Sequence, residues 1–294
     1  MSKQILNECV LTRRGFFAIG SAGMLATAGL AGCSAPDADS GSDTGEDADA
    51  VAVDVLTYNG NPPYCYLDDD GTLIGYDVDV LKAVDERLEG YAFDIDSMDF
   101  NAMITACESG SAELVSCQLV PNEERKAKFL FCEEPFCLSP LVFATADPDI
   151  KTLDDMAGKS VLSSTSSYEY GMLQNYNEAN PDKALVIETI STTTIADAFK
   201  MVASGQVDSY LCYDGSFDAV NEEAGTGLYK TDVVMCESTY FMLNEAQEEL
   251  RDAIDVVLAE MKEDGSLAEI AVEDLGVDVF AEYGDVLSDN ELEG

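Results

Sequence analysis

The 294-residue chain has no histidine and no tryptophan, and its 15 Lys and Arg stand against 58 Asp and Glu, a formal net charge of −43. Without histidine there is no Ser-His-Asp or Cys-His catalysis and no His-ligated zinc. A field this negative repels phosphate backbones, which excludes nucleic acid as a partner. Hydrophobic residues reach 47%, which excludes a chain disordered throughout. The sequence has no GxGxxG and no GxxxxGK[ST], so nucleotide binding has no support, and no serine has a lysine three residues on. It has no CxxC, so with histidine absent no metal site is expected. Asp68-Asp69-Asp70-Gly71 carries the acidic residues of a calcium loop but puts Tyr66 at the first ligand position, and it reads as a plain turn.

The first 33 residues read as a processing segment. Thr12-Arg13-Arg14-Gly15-Phe16-Phe17 sets twin arginines before an uncharged, Ala- and Gly-rich stretch ending in Leu30-Ala31-Gly32-Cys33. This resembles a lipoprotein signal whose Cys33 thiol accepts the lipid, and the twin arginines resemble a Tat signal. The stretch is about the minimum length for a membrane span but is weakly apolar. Residues 34–50 hold six acidic residues, no basic one and almost nothing large, and read as a solvated tether. Residues 51–294 still hold 51 acidic and 12 basic residues, so the acidity belongs to the folded body. Its dispersal along the chain reads as a surface adaptation.

Seven cysteines remain beyond Cys33: Cys65, Cys107, Cys117, Cys132, Cys137, Cys212 and Cys236. An odd number cannot all pair. Several lie in apolar runs such as Leu211-Cys212-Tyr213, and buried thiols acting as small hydrophobes are the expectation.

The body alternates strand and helix patterns. Val51–Tyr58 reads as a strand ending at the loop Asn59 to Pro63, and a hairpin surrounds Asp68–Gly71. From Asp77 the period turns helical, with Val80, Leu81, Val84 and Leu88 on one face. Strand 92–96, helix 102–109 and strand 113–119 follow. A second set runs from strand 141–144 through helix 153–159, strand 160–162, helix 168–176, strand 184–190, helix 194–204 and strand 207–212. A strand at 240–243 then leads into a helix whose Leu250, Ile254, Val257, Leu258 and Met261 share a stripe, and a last helix covers 266–273. Two α/β units joined by two crossings predict a cleft between lobes at the carboxyl ends of strands.

Six segments in order carry a resemblance: Pro62-Pro63-Tyr64-Cys65-Tyr66 with Asp70 through Val80; Phe100-Asn101-Ala102-Met103-Ile104; Glu123-Glu124-Arg125 through Pro135-Phe136; Leu153 through Lys159; Ala203 through Asp208; and Glu263-Asp264-Gly265 with Ile270. Over roughly 51–278 the chain resembles the bacterial extracellular solute-binding proteins of family 3, the amino-acid receptors of ABC importers. The resemblance implies an α/β, two-lobed, periplasmic-binding-protein-like clamshell of type II, with two mixed sheets, flanking helices and a two-strand hinge. Lobe one is expected at 51–140 plus 238–294 and lobe two at 141–237. Closure over an amino acid or a close derivative and delivery to a membrane permease are the implied function, with no cofactor, in a monomer exported and held to the membrane by lipid on Cys33. Two alternatives share the fold: an enzyme of the cyclohexadienyl dehydratase type, and a sensor reporting to a membrane signalling partner.

The resemblance also assigns the ligand contacts. Arg125 matches the arginine that grips the ligand carboxylate, which a guanidinium fork can bind bidentately; a surface salt bridge with adjacent Glu123 or Glu124 is the competing reading. Asp214 is the candidate for the ammonium, although it stands one residue later than usual, where Tyr213 falls instead. Ser167 falls at the helix start that meets the carboxylate, or is a plain N-cap. Val120 replaces a usual hydroxyl residue, with Gln118 and Asn122 beside it as substitutes. Tyr58, Asn61, Tyr64 and Phe100 are expected to line lobe one, with Asn61 where the family's stacking aromatic stands. For Tyr64 and Phe100, core packing competes with that role.

Overall fold

The computed structural model describes residues 50–165, 167–191 and 193–285. The leader, Cys33 and all of the tether but Ala50 lie outside the described residues, as does Ser166.

Strand β1 (Val51–Tyr58) leads through two short strands, β2 (Gly60–Asn61) and β3 (Cys65–Leu67), to β4 (Leu73–Ile74) and helix α1 (Tyr76–Asp85). Gly75 caps α1 with φ 115°, and a Cβ there would meet the Tyr64 and Pro63 carbonyl oxygens at 2.5 and 2.6 Å. Only glycine fits. The close approach lets the Tyr76 and Asp77 N–H groups bond the Pro63 and Tyr64 carbonyls at 3.1 and 2.9 Å, which turns Asp77 into the core. This is the physical content of the Gly75-Tyr76-Asp77 motif.

Strand β5 (Tyr91–Met98), helix α2 (Phe100–Ser109), strand β6 (Leu114–Leu119), the single turn α3 (Glu123–Lys126) and strand β7 (Phe129–Phe131) complete the first run. Strand β8 (Cys137–Thr145), buried along its whole length, carries the chain across. Beyond it lie β9 (Ser160–Ser164), α4 (Tyr168–Ala179), β10 (Val186–Ile190), α5 (Ile195–Ala203), β11 (Ser209–Tyr213), α6 (Asp214–Ala224) and β12 (Tyr229–Lys230). Strand β13 (Met235–Asn244) returns, followed by α7 (Glu248–Asp264), α8 (Ser266–Leu275) and α9 (Val279–Tyr283). The predicted strip on α7 is the buried one.

The main strands run in the order β10-β9-β11-β8-β13-β6-β1-β5. β1 is parallel to β5 and β6, and β9 is parallel to β10 and β11. β8 and β13 are antiparallel to each other over Cys137–Leu141 and Met235–Thr239. Beyond that overlap β8 pairs with β11 and β13 pairs with β6 and β7. The two expected sheets are therefore joined through the two crossing strands. The fold is a type II clamshell with mixed sheets, flanking helices and a two-strand hinge. The apolar cores divide in the same way: one cluster draws on residues between 53 and 138 and between 236 and 279, and two others draw on residues between 141 and 235.

Several elements depart from the sequence reading, among them the expected helix at 153–159, which is a single 3-10 turn over Asp154–Met156. α6 begins at Asp214, directly after β11, where no helix was expected. α3 and α9 are too short to show a period. The seven described cysteines are all buried and free.

Candidate functional site

A cavity of about 230 Å³ opens at the carboxyl ends of β1, β5 and β6 on one wall and of β9 and β11 on the other. Carboxyl ends of parallel strands expose the loops and helix starts that bind ligands.

The first wall contributes Tyr58, Asn61, Phe100, Gln118, Val120 and Arg125. Asn122 caps α3, its Oδ1 accepting the Arg125 N–H at 2.8 Å, and the Arg125 guanidinium donates to the Val120 carbonyl at 2.9 Å. That bond aims the side chain along the cavity edge. Among the described residues no carboxylate lies within ion-pair distance of Arg125, although Glu123 and Glu124 precede it. Tyr58 and Phe100 meet edge to face at 6.3 Å, an arrangement that fixes both rings.

Gln118 is the one non-glycine among the described residues with a positive φ, 48°. Tyr240 pairs with Leu119 and Met242 with Val115, so three residues of β6 face the single residue Phe241 in a bulge. The strained conformation is over-determined. Buried Asp77 accepts from the Gln118 backbone N–H at 3.1 Å, from its Nε2 at 2.5 Å and from the Ser116 hydroxyl at 2.8 Å. Gln118 Oε1 accepts from Ser139 on β8 and from Thr239 on β13. Its side chain thus ties α1 to both crossing strands and is not available to a ligand. Burial pushes the Asp77 carboxyl up to about 6, against the bonds from Gln118 and Ser116 that hold it down.

The second wall contributes Ser163, Ser167, Glu169, Tyr210 and Tyr213. Ser167 Oγ caps α4 by accepting the Tyr170 N–H at 3.3 Å and lies 3.4 Å from Ser163 Oγ. Helix α4 therefore starts at the cavity with its positive end. Tyr213 reaches across, donating its hydroxyl to the Gln118 carbonyl at 3.2 Å, and Ser216 donates to Asn61 Oδ1 at 3.1 Å.

Of the ten residues expected at the ligand, Arg125, Ser167, Tyr58, Asn61, Phe100, Gln118 and Val120 line the cavity, and three do not. Tyr64 is buried, edge-on to Tyr213 at 5.7 Å, as core packing would have it. Asn122 acts as the α3 cap. Asp214 opens α6, and its carboxylate lies 2.5 Å from Lys230 Nζ. β11 ends at Tyr213, immediately before Asp214, and Tyr213 takes the cavity position. The sequence reading missed Glu169, Tyr210 and Ser163. Glu169 had a signal: it stands two residues after the N-cap serine, in the first turn of a helix already expected to face the ligand.

Comparison with known proteins agrees with this fold. The model of the bacterial extracellular solute-binding proteins, family 3, matches residues 53–273. The L-cystine-binding protein TcyK of Bacillus subtilis is 30% identical over 226 residues, covering 75% of this chain and 82% of that one. The L-cystine-binding protein TcyJ of the same species is 26% identical over 235 residues, covering 79% and 87%. A solved ancestral arginine-binding protein bound to arginine superposes with a TM-score of 0.64 at 25% identity, covering 76% of this chain and 98% of that one.

Proposed function

Because the chain belongs to the bacterial extracellular solute-binding proteins, family 3, we propose that it captures an amino acid, or a close derivative such as L-cystine, and delivers it to a membrane permease. One observation carries the reading. Arg125 lines the cavity and has no carboxylate partner among the described residues, in a body with 51 acidic side chains. A guanidinium kept free of so many carboxylates is reserved for one that arrives, and its planar fork suits that geometry. The start of α4 adds backbone N–H donors on the other wall. A ligand touching both walls is held more tightly when they are closed, so its binding favours that state.

The proposed lobes are 51–140 with 238–294, and 141–237; residues 286–294 lie outside the described residues, and the separate cores support the division. The protein acts as a receptor and not as an enzyme, as an exported monomer held to the membrane by lipid on Cys33. The twenty proteinogenic amino acids and L-cystine, tested by thermal shift on protein freed of carried-over ligand, decide the matter. At least one should raise Tm by mass action, and Arg125→Ala should remove the shift. No shift across the panel defeats the reading, and turnover of prephenate or arogenate would replace it with the enzyme.

A further inference from the structure

On the reading of this cavity as an amino-acid site, on which the following rests, we infer that Glu169 accepts the ligand's ammonium group and that Asp214 does not. An ammonium has three donors and no acceptor, so removing it from water requires an acceptor with charge. The described cavity lining holds two carboxylates, Asp99 and Glu169. Asp99 is exposed, and its Oδ1 already caps α2 through the Asn101 N–H at 3.1 Å. It also shares a wall with Arg125.

Glu169 is half-buried on the opposite wall, and no hydrogen bond or ion pair to it is found among the described residues. Its charge is felt at the end of β11, where burial and then Glu169 hold the Tyr213 hydroxyl proton. Asp214, the acid expected there, is paired with Lys230 and does not line the cavity. The described cavity lining therefore holds one unpaired cation on one wall and one unpaired, half-buried anion on the other, an arrangement complementary to a zwitterion.

Glu169 also stands in the first turn of α4, where a carboxylate is favoured by the helix dipole. That role needs no ligand and would be served by a side chain turned outward, so the two roles separate by measurement. The test is calorimetry on the full-length protein with the panel amino acid that binds. For L-cystine, 3,3′-dithiodipropionate serves as the counterpart lacking both ammonium groups; for L-arginine, 5-guanidinopentanoate does. Glu169→Gln should weaken the amino acid about 100-fold and the deaminated counterpart not at all. Glu169→Asp should recover part of the loss, and Asp214→Asn should bind like wild type. If Glu169→Gln binds the amino acid as wild type does, or loses both ligands equally, the assignment is overturned, as it is if Asp214→Asn shows the 100-fold loss. If wild type binds none of the panel, the amino-acid reading fails and the role of Glu169 falls with it.

Discussion

The two walls of the cavity are built from similar α/β parts and do different work. The wall from β1, α2, β6 and α3 carries the guanidinium, the aromatic pair and the strained Gln118 node. The wall from β9, α4 and β11 carries hydroxyls, a helix start and Glu169. The first is rigid: its polar groups are bonded to one another and to both crossing strands. The second holds Glu169, to which no bond is found among the described residues, and reaches the first wall through the Tyr213 hydroxyl on the Gln118 carbonyl. Specificity for a zwitterion then depends on having both walls present, which couples recognition to closure.

The largest effect expected is at Arg125. Arg125→Ala should cost at least about 3 kcal/mol of binding, roughly 100-fold in Kd. Arg125→Lys sharpens the comparison, because it restores the charge without the fork. It should recover less than a tenth of the lost affinity, read by calorimetry at constant salt. Full recovery with lysine would mean that the first wall supplies only a potential.

Much of this wall was legible in the sequence, and the reason is mechanical. The Gly75-Tyr76-Asp77 motif is fixed by a glycine that nothing else can replace, and Arg125 by a cap and a carbonyl within five residues of it. Such constraints are local and leave a local trace. The second wall was read less well because its assignment turned on where β11 ends. Tyr213 and Asp214 differ by one position, and a one-residue change sends a side chain to the other side of the chain. The outcome is set by Lys230 pairing with Asp214 and by Tyr213 bonding to Gln118, partners 16 and 95 residues away. No window of sequence contains both. The cap roles of Asn122 and Ser167 were visible as residue types, but Asn122 was assigned to the ligand instead of to the helix it starts.

The next effect tests the rigidity of the first wall. Asp77→Asn replaces one acceptor oxygen with an N–H₂ that faces Gln118 Nε2, a donor already oriented toward it. Loss of that bond and of a charged acceptor should cost about 1–3 kcal/mol, or about 5 °C in Tm. The loss should also depend on pH. The folded value of about 6 lies above the unfolded 3.8, so the proton-linked stability of Asp77 is fully present below about 3.8 and is lost as pH rises through about 6. The gap between wild type and Asp77→Asn should therefore widen on going from pH 7 to pH 4. Denaturant titrations at the two pH values measure it, and a gap that narrows would place the carboxyl in a more hydrated setting than the structure gives it.

The smallest effect separates closure from folding. Tyr213→Phe removes one hydroxyl, which donates to the Gln118 carbonyl across the cavity at 3.2 Å, and leaves the ring packed on Tyr64. A neutral hydrogen bond is worth about 1 kcal/mol. If that bond forms only when the walls meet, its loss shifts the open–closed balance, and apparent affinity falls about fivefold with little change in the Tm of the unliganded protein. If the bond persists in the open state, because Gln118 and Tyr213 both lie near the crossing strands, affinity is unchanged and the unliganded Tm falls instead. Small-angle scattering with and without ligand on the same variant reports which state has moved. A fall in Tm with affinity unchanged would mean that Tyr213 belongs to the rigid framework, and that the boundary between the fixed and the responsive parts of the cavity lies closer to Glu169 than to β11.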